Sequence, residues 1–225
     1  MAILTIVEDH VVPQLLTSAI EAYEFEHRAF EKGGAKTEIE TYGLLWGYSL
    51  PARNGQDARI VATIATTETS ALRHEDWVMP NFDSIKTKRD FFSQYWPHLE
   101  LIGTFHSHPY PDRTAVESAD GKGWRASPGD LKHWPEAHRK LRPDLPEMMH
   151  LIITITALQK RGTAWPRRLL GNEQNTGYVL SSDWRKFWIK GYCSVRDEDV
   201  AGANSYESET DVILDIPSLT HRFSG

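Results

Sequence analysis

The spacing of apolar and polar positions divides the chain into helices and strands before composition is considered. Between residues 10 and 30, Leu15, Leu16, Ala19, Ile20, Tyr23 and Phe30 recur at helical spacing with acids between them, which predicts an amphipathic helix. Lys32-Gly33-Gly34 ends it, since glycine favours helix exits. A strand-like run follows, IETYGLLWGYSL, carrying Ile39, Tyr42, Leu44, Leu45, Trp46 and Tyr48. Asn54-Gly55 is a tight-turn signal, and ARIVATIATTETS, rich in β-branched residues, predicts the returning strand. ALRHEDWVMP reads as a surface loop or a short extra strand, and Asp83 to Tyr95 as a second helix stopped at Trp96-Pro97.

LELIGTFHSH is the next strand, and the chain from 109 to 126, rich in Pro, Gly and charge, is expected to be irregular. Ser127-Pro128-Gly129-Asp130 then carries the marks of a helix start. Serine caps, proline suits the first helical position, and an acid three residues after the cap suits the positive end. That helix runs toward Arg142, with Pro143 beyond it. MMHLIITITAL is a long apolar strand suited to the centre of a sheet. Gly177 to Val195 holds at least one more element, of which WRKFWIKGY fits either period. The order of elements predicts an α/β (α+β) fold, a mixed sheet flanked by helices. Residues 1–195 form its domain. Residues 196–211 are acidic and nearly free of large apolar groups, which predicts a mobile linker. Residues 212–225 regain apolar character and are expected to dock on the rest.

Composition narrows the function. With 225 residues, 40% hydrophobic and 25% charged, the chain has room for one sizeable core. A net charge of −6 and a pI near 5.9 argue against nucleic acid as a partner. Short basic spots such as Lys186, Arg167 and Arg168 read as solvated surface. No apolar run approaches the roughly 18 residues of a membrane span. MAILTIVEDH lacks the basic flank and cleavage pattern of a secretion signal. The single cysteine, Cys193, has no internal disulfide partner, which fits a reducing cytoplasm. No nucleophile pattern surrounds it, so it reads as a buried thiol.

The chemistry gathers around LIGTFHSHPYP. On a strand, alternate residues face one side, so His106 and His108 project together. Ten histidines in the chain make one such pair weak by itself. A catalytic zinc takes three protein ligands and keeps a fourth position for water. Asp130, in the first turn of the next helix, is placed to return to the strand end as the third. Glu40, at the start of another strand among small and apolar neighbours, is a candidate proton acceptor with raised proton affinity.

Three blocks taken together, ETYGLLWG from Glu40, HSHP from His106 and SPGD from Ser127, resemble the JAMM, or MPN-plus, family of JAB-domain zinc metalloproteases. The resemblance covers about residues 10 to 195 and is nearest to the compact prokaryotic, deubiquitinase-like type. It implies a mainly antiparallel sheet flanked by helices in the cytidine-deaminase-like MPN architecture. It also implies one catalytic zinc held by His106, His108 and Asp130. Glu40 would deprotonate the attacking water and pass the proton to the leaving amine. Ser127 would donate a hydrogen bond to the oxyanion, and Ser107 would point away into packing or a strand bond. Here 22 positions separate His108 from Asp130, more than the family usually shows, because 110–126 resembles an insertion beside the site. Asp120 falls nearer the usual interval but lacks a serine three residues before it, so Asp130 is favoured, with Asp112 a more distant third.

The implied activity is cleavage of ubiquitin-like protein conjugates or precursors, alongside activating and conjugating enzymes. The modifier's tail would lie against an edge strand, for which Ser70 to Pro80 is the candidate. Two other readings stand beside it. One is a peptidase or amidase of small peptides, such as cell-wall or tail-assembly fragments. The other is a non-catalytic scaffold, against which the complete ligand set argues. His74, Glu75 and Asp76 read as a polar loop, His133 and His138 as surface positions on the helix after Asp130, with His133 able to reach the rim of the site. The eight tryptophans read as packing, with Trp124 and Trp134 placed to meet substrate.

Overall fold

The computed structural model describes residues 3–28, 35–53, 55–119, 122–198, 204–209 and 212–221. In chain order it contains β1 (Ile3–Val7), α1 (Val11–Glu24), β2 (His27–Arg28), β3 (Ala35–Lys36), β4 (Tyr42–Leu50), β5 (Arg59–Thr67), β6 (Leu72–Arg73), β7 (Val78–Met79) and α2 (Phe82–Tyr95). There follow β8 (Glu100–Tyr110), α3 (Arg113–Ser118), α4 (Pro128–Leu141), β9 (Glu147–Ala157), β10 (Ala164–Arg168), β11 (Gly177–Ser182), β12 (Arg185–Glu198), β13 (Asn204–Glu209), β14 (Val212–Asp215) and α5 (Pro217–His221).

One mixed sheet organises the molecule, in the order β10-β11-β12-β9-β8-β4-β5-β1-β14, with β13 pairing β12 off that path. Its β8/β9, β1/β5 and β1/β14 pairs are parallel and the others antiparallel. The fold is α+β, as the element order predicts. β9 is central, and its near-continuous buried run is that of a strand covered on both faces. Leu151, Ile153 and Ile155 pack toward α1, where Leu15, Ala19 and Tyr23 form one apolar stripe. Met148 faces the opposite side with Ala137 and Leu141 of α4 and Ile85 of α2. Trp46 stacks on Phe92 at 4.0 Å, docking α2 on that face.

The register dictates what stands beside what. Across β8 and β9, Thr104, His106, His108 and Tyr110 align with His150, Ile152, Thr154 and Thr156. β4 lies antiparallel on the other side of β8, with Tyr42 opposite His106. Gly43 belongs to that contact: a Cβ there would lie 2.1 Å from the Phe105 ring and 2.6 Å from the Thr66 carbonyl. β8 runs on through Pro109 because β4 no longer pairs with it there, so the missing N–H interrupts no ladder on that side.

Several expectations are corrected. The first helix ends at Glu24 rather than near residue 30. Phe25 is extended and exposed, so the apolar stripe has no continuation there; Lys32-Gly33-Gly34 lies outside the described residues. The 110–126 stretch contains α3, whose Val116 is buried against Leu169, Val179 and Trp188. The acidic stretch expected to be a mobile linker is strand on both sides of its undescribed part. Val195 to Glu198 pair with Glu207 to Asn204. The boundary expected at residue 195 thus falls inside β12. Leu214 and Ile216 of the C-terminal segment are fully buried in the main core, where β14 lies parallel to β1. WRKFWIKGY is strand, paired along β9.

Candidate metal centre

The histidine pair sits where β8 outruns β4. His106 and His108 share a face, and both rings are buried against the sheet. Ser107 points to the other side, where its Oγ accepts a hydrogen bond from the Thr41 amide at 2.9 Å. Asp130 arrives by local chemistry. Ser127 caps α4, Pro128 occupies its first turn, and a capping box ties Ser127 to Asp130. The Ser127 amide donates to Asp130 Oδ2 at 2.7 Å, and the Asp130 amide donates to Ser127 Oγ at 3.1 Å. The Ser127 hydroxyl lies 2.8 Å from Asp130 Oδ2.

These elements meet at one point. His106 Nε2 lies 3.0 Å from His108 Nε2 and 3.1 Å from Asp130 Oδ1, and His108 Nε2 lies 3.4 Å from Asp130 Oδ2. Among the described residues, this trio forms a cluster whose ligand atoms all fall within 4.8 Å of one another. Donors bound tetrahedrally at zinc-like distances stand about 3.3 Å apart, so the donor set fits a small divalent ion. His108 Nδ1 lies 3.3 Å from the Gly123 carbonyl, an acceptor only. That bond places the proton on Nδ1 and leaves the Nε2 lone pair for the cluster.

Glu40 precedes β4. Continuing the register past Tyr42 and His106 sets it opposite His108. Its backbone amide donates to the His74 carbonyl at 2.8 Å, so the β6–β7 hairpin closes over it. The side chain is buried, and burial is the main reason its pKa rises to about 8; the Asp130 and Asp76 charges add to the rise, while His108 opposes it. For Asp130, burial favours the neutral acid, but the two histidines outweigh it and hold the carboxyl well below the usual range. For His108, burial opposes protonation, yet the Asp130 hydrogen bond and the Glu40 charge prevail and raise its pKa.

All five expected residues line one cavity of about 340 Å³. Trp77 and Val78 of the β6–β7 hairpin, Tyr110, His133 and Trp134 complete much of its wall. Glu75 and Asp76 reach its rim, and Glu75 is paired with Lys36 at 2.7 Å. Asp112 is elsewhere, capping α3 through the Ala115 amide at 2.8 Å. Asp120 lies outside the described residues. Trp134 faces the cavity from a buried position, whereas Trp124 stacks on Trp188 at 5.8 Å.

The expectation that His138 is a surface position is corrected, whereas His133 does reach the site. His133 is half-buried in the cavity wall, and His138 is fully buried. α4 turns His138 toward the sheet, into a chain of buried polar groups. His138 Nε2 lies 3.1 Å from the Leu145 carbonyl and Nδ1 lies 2.9 Å from Ser194 Oγ. Ser194 Oγ is 2.9 Å from His150 Nε2, and His150 Nδ1 is 2.8 Å from Thr104 Oγ1. One proton arrangement satisfies every link: Thr104 donates to His150, His150 to Ser194, Ser194 to His138 and His138 to Leu145. Both rings are then neutral. Trp134 stacks on His150 at 4.9 Å and leans on His106 at 6.3 Å, so this chain underlies the candidate metal cluster. Sequence reading missed His150, Thr154 and Gly123. Only the Thr-x-Thr alternation of the apolar β9 run hinted that polar groups face inward there.

Neither a scan against models of known protein families nor a search of curated proteins returns a match to this chain. No described helix is long and apolar enough to cross a membrane.

Proposed function

We propose that the chain is a zinc-dependent peptidase of the JAMM type, with the MPN architecture, that hydrolyses amide or isopeptide bonds of ubiquitin-like conjugates or precursors. The observation that carries this reading is the meeting of His106, His108 and Asp130 in one cavity with a buried carboxyl of raised pKa. Zinc held by His106, His108 and Asp130 would acidify the attacking water and polarise the scissile carbonyl. Glu40 accepts the proton of the attacking water as oxygen adds to the carbonyl carbon. As the C–N bond breaks, it returns that proton to the departing amine. Burial gives Glu40 the basicity for both transfers. Ser127, exposed on the cavity wall, turns its hydroxyl from Asp130 Oδ2 to the oxyanion, a contribution worth about 100- to 1000-fold in rate. The substrate's extended tail lies along the β6–β7 hairpin, the Ser70–Pro80 segment, with Trp77 and Val78 facing it.

The test is hydrolysis of a panel of ubiquitin-like fusions and of free dipeptides by the zinc-loaded protein. Cleavage of a fusion at its modifier's C-terminus, abolished by chelation and restored by zinc, supports the proposal. Cleavage of dipeptides alone moves it to the small-peptide reading. Substoichiometric zinc, with no hydrolysis and no response to chelation, favours the scaffold.

A further inference from the structure

The segment from Lys122 to Ser127 belongs to no strand or helix, yet two of the three metal-cluster side chains depend on it. Its Gly123 carbonyl faces His108 Nδ1 and accepts a hydrogen bond from Thr154 Oγ1 at 3.0 Å. Its last residue caps the helix that presents Asp130. A segment of this kind is held by whatever grips it from outside, and three of its side-chain hydrogen bonds converge on one carboxylate. Glu173 stands in a 3-10 turn between β10 and β11. It accepts from Arg125 Nε and an Arg125 terminal nitrogen at 3.0 Å each, from Trp124 Nε1 at 3.4 Å, and from Lys190 Nζ. Lys190 belongs to β12, so the carboxylate bridges the segment to the sheet. The Tyr192 hydroxyl, two residues on, accepts from the Ala126 amide at 2.8 Å.

We propose that Glu173 is a positioning residue for the metal centre: by clamping Trp124 and Arg125 to β12, it fixes the Gly123 carbonyl against His108 and the cap of the Asp130 helix. The inference rests on the metal reading above. Glu173 touches no ligand atom and acts through the segment alone. Burial works against its ionisation, but the hydrogen bonds from Arg125 and Lys190 prevail and lower its pKa to about 2, so the clamp is charged at neutral pH. Side-chain exposures of 12% for Glu173 and 9% for Lys190 mean that this pair is shielded from solvent, unlike surface ion pairs of small worth.

The test uses the full chain and zinc alone as the probe. Glu173→Gln leaves Lys190 as an unpaired buried charge, which is expensive, so the double variant Glu173→Gln/Lys190→Met is measured beside it. Thr154→Val loosens the same carbonyl from the sheet side. Glu24→Gln, which breaks the remote pair with Arg185, is the control for general loss of stability. Metal-free proteins are compared by amide exchange at Gly123, Arg125 and Ala126, whose amides bond Val116, Lys122 and Tyr192. Zinc affinity is then measured by chelator competition. The expected result is faster exchange confined to 122–127 and zinc affinity lowered roughly 10- to 100-fold in the double variant and in Thr154→Val, with neither change in the control. Unchanged exchange, or faster exchange with unchanged affinity, overturns the clamp. A wild-type protein that takes up no zinc overturns the metal reading itself and the clamp with it.

Discussion

At Glu40 the burial that suits the proposed chemistry opposes stability. Its carboxyl is buried and its pKa is raised from 4.5 to about 8. The metal-free fold therefore gains most from Glu40 below about pH 4.5, and that gain fades as the pH rises toward 8. Glu40→Gln should stabilise the metal-free protein at pH 8 by on the order of 3 kcal/mol, read as a higher urea midpoint, while zinc stays bound and turnover is lost. A lower midpoint would contradict the burial argument, and retained turnover would remove Glu40 as the base. Asp130→Asn should empty the site of zinc and Asp120→Asn should not; metal content after dialysis decides between them. These residues were legible in the sequence because each sits in a short local pattern: alternation for the histidines, a capping box for Asp130, a strand start for Glu40. Gly123, Thr154 and Glu173 were not. Their roles come from partners tens of residues away, joined by sheet register, and no local pattern marks a carbonyl that holds an imidazole.

At the level of elements, α4 and β9 meet through His138, Ser194 and His150, and that contact should respond to acid. Burial is the main reason both histidines have lowered pKa values, to about 4 for His138 and in the same direction for His150. The unfolded chain takes up these protons near pH 6.5 while the fold refuses them. Their contribution is thus complete above about pH 6.5 and declines as the pH falls toward 4. A midpoint that drops between pH 7 and 5, with a shallower drop in His138→Gln, is the expected outcome; parallel curves would mean that other groups govern the acid response. Periodicity located α2, β8, α4 and β9 well, because each has a buried face that its sequence must encode. It misplaced the acidic stretch around β13, where pairing comes from the long β12 rather than from apolar content. There Ser208 bonds the Leu131 carbonyl and Tyr206 bonds the Pro143 carbonyl, so a polar strand straps the helix that carries Asp130.

At the scale of the whole molecule, the sheet is continuous from β10 to β14, and the chain's last described segments complete it. Val212, Leu214 and Ile216 are buried in the core beside β1. Each buried side chain of this size contributes about 1.5–3 kcal/mol, and their sum rivals the 5–15 kcal/mol typical of a domain's stability. A chain ending at residue 211 should fail to give a cooperative unfolding transition; one that unfolds like the full chain would show that residues 212–225 only decorate the fold. The sequence announced that this segment is apolar but not where it goes, since parallel pairing with β1 joins opposite ends of the chain. That continuous sheet keeps β8, β4 and α4 in register, and the His106–His108–Asp130 cluster forms where they meet. The most direct test is therefore anomalous scattering at the zinc absorption edge from crystals of the zinc-loaded protein. We expect a single strong site bonded, at about 2.0–2.2 Å, to His106 Nε2, His108 Nε2 and an Asp130 oxygen, with Glu40 facing it. A zinc site elsewhere in the molecule, or none at these three residues, would contradict it.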